Sequence, residues 1–114
     1  MKAFNLKNDR ELSHNVVVAD SVLARMKGLL GRKRLEDGEA LWIKPCRGIH
    51  TIGMSFPIDV LFLDADNVVV EARENIPPNR LSKIVFKAKT VLELPAGTLS
   101  ATETRAGDTL RFST

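Results

Sequence analysis

The side chains in this chain with the chemistry to act on or hold another molecule crowd into one stretch. Residues 46–64 read C-R-G-I-H-T-I-G-M-S-F-P-I-D-V-L-F-L-D. Cys46 and His50 stand four apart. Brought together in space with an acid, a thiol and an imidazole form a nucleophile and its base, and Asp59 is the acid at hand. In that arrangement His50 is the acid/base, Asp59 its orienting or metal-binding partner and Cys46 a weaker nucleophile candidate. As zinc ligands Cys46 and His50 number only two, where a structural zinc takes four, and His14 is the one further imidazole. A buried structural cysteine beside an ordinary histidine explains the same pair and is the favoured account. No complete hydrolase motif is present, so the sequence assigns no catalytic residue, no metal site and no cofactor.

A binding pocket asks for less: apolar walls and a few placed polar groups. Arg25, Arg32, Trp42, His50, Met54 and Asp59 have that composition, and the arginines suit an anionic or sugar-like ligand. Such a pocket is expected where the end of a helix converges with residues 46–64. Each member also has a plainer account. The arginines are solvated or pair with nearby acids. Trp42, the only tryptophan, packs in the core with its N–H on an acceptor. Asp59 opens an apolar strand, where a lone buried carboxylate is costly, so it accepts backbone amides and ties the turn at Gly53 to the sheet.

The elements that must position these groups are legible from pattern. Residues 59–63, D-V-L-F-L, read as a strand covered on both faces, followed by an Asp/Asn link and a second strand over 68–72, hence a hairpin. Asp20 is an N-cap candidate for a helix over 21–30, with Val22, Leu23, Met26, Leu29 and Leu30 making an apolar, core-facing side. Gly28 and Gly31 are its stop signals. Residues 11–19 and 40–43 read as strands, the latter ended by Pro45. Residues 85–86 read as an edge whose neighbours Lys83, Lys87 and Lys89 discourage further pairing. Residues 90–94 form another strand, with Glu93 outward or paired. A helical turn over 96–104 and a last strand over 109–112 complete the chain. The fold class is α+β, mainly β: a compact antiparallel sheet with barrel character, one short helix in the N-terminal half and a helical turn near the C-terminus.

Three blocks carry a family resemblance: R-M-K-G-L-L-G-R at 25–32, I-H-T-I-G-M-S-F-P-I-D-V-L-F-L-D at 49–64 and V-L-E-L-P-A-G-T at 91–98. In this order they resemble the DUF192 family of small bacterial and archaeal proteins, from about residue 16 onward. Leu30 stands where that family often has Met, and Ile52-Gly53 replaces the tryptophan that often precedes the central Met. The resemblance implies a compact, mostly antiparallel β-domain and no established activity.

Composition bounds the rest. The chain has 114 residues, 44% of them hydrophobic, enough for a core in one domain without disulfides, which its single cysteine could not form internally. No secretion leader and no apolar run of roughly 20 residues is present, so a soluble cytoplasmic protein is expected. The net charge is +3, and the basic residues cluster around 25–34 and 80–89. With aromatics at 5% and no tyrosine, the stacking platforms of nucleic-acid binders are missing. Three functions remain, in order of preference: binding an unknown small molecule, accessory interaction with an acidic protein partner, and catalysis through His50 and Asp59. The sequence does not fix an oligomeric state.

Overall fold

The computed structural model describes residues 1–28, 32 and 34–114. Its elements are β1 (Lys2–Asn5), β2 (Arg10–Ser13), β3 (Asn15–Ala19), α1 (Val22–Lys27), β4 (Glu39–Ile43), β5 (Ile58–Leu63), β6 (Val69–Ile76), β7 (Thr90–Pro95), α2 (Thr98–Thr102) and β8 (Leu110–Ser113). The fold is mainly β with two short helices, as the sequence predicts. The strands form two ladders, β2-β1-β8 and β3-β4-β7-β5-β6. All pairs are antiparallel except β3–β4. A parallel pair cannot be joined by a hairpin, so the chain after β3 must cross back to enter β4 from the same end. That crossing carries α1.

β7 lies between β4 and β5, and β5 between β7 and β6, so both edges of these central strands are hydrogen-bonded. Every residue of β5 is buried. One face packs Ile43, Ile58, Val60, Phe62 and Val91 against Leu35, Met54 and Phe56. The other packs Trp42, Leu61, Leu63, Leu92 and Leu94 against Ala3, Leu12 and Leu110 of the three-stranded sheet. Burial on both faces explains why these strands read as continuous apolar runs rather than alternating ones. The β5–β6 hairpin forms where predicted. Asp64 Oδ1 accepts from the amides of Asp66 and Val68 at 2.9 Å each, and Asn67 takes φ 62°, a conformation that asparagine tolerates.

Three expectations need correction. The strand expected over 11–19 is two strands in different sheets. It breaks at His14, where the amides of His14 and Asn15 both donate to Gly38 O. Gly38 has φ +84°, and a Cβ there would run into the His14 ring. The segment 85–86 is not a strand but part of a turn-rich loop. The helix starts one residue later than expected, with Ser21 Oγ accepting from Ala24 N at 3.0 Å, and buries none of its residues. Val22, Leu23 and Met26 are exposed, so the apolar side faces solvent rather than the core. A helix this short, crossing over a sheet edge, meets too little of the core to bury a whole face. Leu29, Leu30, Gly31 and Lys33 lie outside the described residues.

Candidate functional site

The segment 46–54 has no regular secondary structure of its own beyond one isolated bridge, yet it is held at many points. It is laced to the loop 77–89 by backbone bonds: Cys46 N to Lys89 O at 2.9 Å, Val85 N to Arg47 O at 2.8 Å, Ser82 N to Ile49 O at 2.9 Å and Thr51 N to Arg80 O at 2.8 Å. Thr51, fully buried, donates its hydroxyl to Pro77 O at 2.7 Å and accepts from Arg80 N at 2.8 Å. Pro77 and Pro78 have no N–H to give to a ladder, so the buried hydroxyl ties this loop to the segment instead.

Between this segment and α1 opens a cavity of about 540 Å³. Its apolar wall includes Ile43, Ile49 and Met54, and Arg25, Lys27, Arg47 and Lys89 line it with positive charge. Cys46, His50 and Glu93 complete the set of titratable groups. The cavity thus brings together Arg25, His50 and Met54 from the sequence-derived candidates, with Cys46 beside them. Met26 lines it too, as an exposed rim residue instead of a core residue.

Glu93 is the residue that pattern reasoning misplaced. It is neither outward nor paired: it is 5% exposed, and Oε2 has no hydrogen-bond partner among the described residues. Burial alone pushes its carboxyl from 4.5 up to about 7. The signal was there in T-V-L-E-L-P. An acid inside a strand apolar at both alternate sets of positions belongs to a central strand, whose polar residue has no solvent side to face.

Cys46 is half-buried. Its thiol donates to Gly48 O at 3.0 Å. Burial pushes the thiol up, and the neighbouring Glu93 charge adds to the rise. It is therefore held as a thiol, the form that is a poor nucleophile. Among the described residues no group of three or more His, Cys, Asp and Glu could hold a metal ion.

The other candidates sit elsewhere. Arg32 lies on the surface, its guanidinium donating to both carboxylate oxygens of Glu39 at 2.9 and 3.1 Å. Glu39 is held below its ordinary value, first by the Glu36 amide at 2.8 Å and then by Arg32. Trp42 faces the opposite core. Its ring stacks on Phe112 at 3.7 Å between centroids, Lys44 Nζ sits 4.1 Å above it, and Nε1 donates to Thr90 Oγ1 at 2.9 Å. Trp42→Phe is expected to cost about 2 kcal/mol, from one lost hydrogen bond and the void that the smaller ring leaves in a buried site, and to leave cavity binding unchanged. Denaturant unfolding followed by circular dichroism measures the first, and a binding titration the second.

Asp59 is fully buried and accepts three backbone amides, Asn75 N at 2.8 Å on Oδ1, Gly97 N at 3.1 Å and Leu99 N at 2.9 Å on Oδ2, and not that of the expected Gly53 turn, whose amide donates to Asn79 Oδ1 at 3.3 Å. Gly97 is the N-cap of α2 and has no capping side chain of its own, so Asp59 serves that helix start from a neighbouring strand. His50 is exposed and makes no hydrogen bond to Asp59 among those described, so the pair proposed for catalysis is not assembled.

Comparison with known proteins follows the same lines. The model of the DUF192 family, described as "Uncharacterized ACR", matches residues 4–112. No curated protein matches the chain. A crystal structure of a protein of unknown function from Novosphingobium aromaticivorans DSM 12444 superposes with a TM-score of 0.83 at 19% identity, covering 97% of this chain and 82% of that one. A Sinorhizobium meliloti 1021 protein, described only provisionally as a transcription regulator, superposes at 0.80 with 23% identity, covering 96% and 89%. At these identities the likeness is one of fold. No helix among the described residues is long and apolar enough to cross a membrane.

Proposed function

This chain belongs to the DUF192 family, and from that premise, which brings no activity with it, we propose a small-molecule-binding domain whose site is the cavity walled by Ile49 and Met54 and lined by Glu93. One observation carries the reading. Glu93 lines the cavity, and its buried Oε2 has no hydrogen-bond partner among the described residues. An unpaired buried carboxyl costs stability, and a bound molecule that pairs with it recovers that cost. The apolar wall, the few polar groups and the cationic lining are what a pocket for an organic molecule needs. His50 stands at the cavity as a further hydrogen-bonding group.

A thermal-shift screen against organic acids, sugars and nucleotides tests the proposal. A ligand present at a hundred times its Kd raises stability by about 2.7 kcal/mol. The stabilisation is expected in the native chain and not in Glu93→Leu, which removes the acceptor at similar volume. A screen without any stabilising compound, or one undiminished in Glu93→Leu, overturns it.

A second reading, an accessory interaction module, is favoured by the exposed Leu81, Ile84 and Phe86, set among Lys83, Lys87 and Lys89. An acidic partner would then be captured in a salt-sensitive manner and released by the paired charge reversals Arg80→Glu and Lys83→Glu.

A further inference from the structure

We propose that the cavity takes a small organic anion bearing a hydroxyl remote from its charge, either a hydroxy acid or a phosphate monoester of a polyol. The inference rests on the binding reading above and narrows it to a chemical class. Two features select the class, one for each end of the molecule.

The first is the sign of the lining. Arg25, Lys27, Arg47 and Lys89 all line the cavity, against the single acid Glu93. Field lines focus in such a recess, so an anion is drawn in and a cation repelled. Arg47 is also oriented, because its Nε donates to Ala88 O at 3.1 Å, which fixes one edge of the guanidinium. A carboxylate or phosphate fits that group.

The second is the Glu93 carboxyl, whose buried Oε2 has no partner among the described residues. Its carboxyl titrates near 7, so neutral solution holds both the acid and the carboxylate. A ligand ammonium would pair only with the carboxylate, and would have to enter past four cations. A second carboxylate on the ligand would pair only with the protonated acid. A hydroxyl pairs with both forms, donating to the carboxylate and accepting from the acid. The carbon skeleton between the two ends lies along the apolar wall.

Calorimetric titration of the whole chain near neutral pH uses four probes: 4-hydroxybutyrate, glycerol 3-phosphate, butyrate and butane-1,4-diol. At least one of the two hydroxylated anions is expected to bind, and which of them binds separates carboxylate from phosphate as the charged end. Butyrate and the diol are each expected to bind about tenfold or more weakly than 4-hydroxybutyrate or glycerol 3-phosphate, a loss of about 1.4 kcal/mol apiece. In Glu93→Leu the advantage over butyrate disappears, and in Arg47→Gln the advantage over the diol shrinks. Butyrate binding as tightly as the hydroxylated anions, or the diol doing so, overturns the assignment. If none of the four binds while another compound stabilises the chain through Glu93, the class is wrong and the cavity stands as the site. If no compound binds at all, both readings fall.

Discussion

Replacement of Asp59 by alanine is expected to lower the stability of the fold by about 4 kcal/mol, a fall in Tm of roughly 15 °C for a chain this size. The carboxylate is fully buried and receives amides from two separate places, Asn75 at the end of β6 and Gly97 and Leu99 at the start of α2. Hydrogen bonds to a charged group contribute about 1.5–3 kcal/mol each, and an amide left unpaired in the interior costs about 1–3 kcal/mol. Three such amides lose their acceptor at once, and water reaching the less buried Asn75 recovers part of the loss. Asp59→Asn keeps one acceptor oxygen and is expected to lose about half as much. Urea unfolding of the two variants, read as midpoint and slope, gives both numbers. A loss below about 1 kcal/mol in the alanine variant would remove Asp59 from the structural role. Ligand binding by the folded fraction should be unchanged, because Asp59 does not line the cavity.

The second large effect is a dependence on pH that resides in one side chain. Glu93 titrates near 7 in the fold against 4.5 as its ordinary value, because burial disfavours the charged form. The folded chain therefore holds a proton that the unfolded chain releases between these values. Stability from this group is fully present below about 4.5 and is lost as pH rises through about 7. The whole excursion is on the order of 3 kcal/mol, from 2.5 pH units at about 1.36 kcal/mol each. The native chain should accordingly unfold more readily at pH 8 than at pH 5. Glu93→Gln, which cannot ionise, should lack this part of the slope, and Glu93→Leu should be the more stable chain at pH 8. Stability curves that coincide for the native chain and Glu93→Gln across that range would show that the carboxylate is solvated after all.

The strands and their hairpin were legible because residue pattern and burial agree there. The run at 59–63 is too short and too rich in β-branched and aromatic residues to favour the helix that periodicity alone leaves open, and its Asp64–Asn67 link forms where expected. The family blocks were legible too, but they mix two jobs. Asp59 in the central block and Gly97 in the third meet each other as hydrogen-bond partners. Arg25 in the first block and Glu93 in the third line the cavity. Nothing local separates these roles, since which face a residue takes depends on strand order, and strand order is set by pairings far apart in sequence. The same ignorance sent Trp42 into the proposed pocket, although its strand position points it at Phe112 and the other core. α1 was misjudged for a different reason. Its periodicity is that of a packed helix, but the helix spans only Val22–Lys27 and has little sheet beneath it.

The parallel pairing of β3 with β4 has a consequence for how chains of this fold can diverge. Five residue pairs, from Asn15 opposite Glu39 to Ala19 opposite Ile43, fix where the crossing must leave the sheet and rejoin it. α1 within that crossing is anchored by those ends and not by its own burial, since it buries no residue. Lengthening such a crossing costs only about 0.6 kcal/mol per doubling. Residues 21–28 therefore behave as an interchangeable cassette. Their replacement would rebuild one wall of the cavity without moving any strand by a single register step, so the lining can drift across generations while the architecture beneath it stays still.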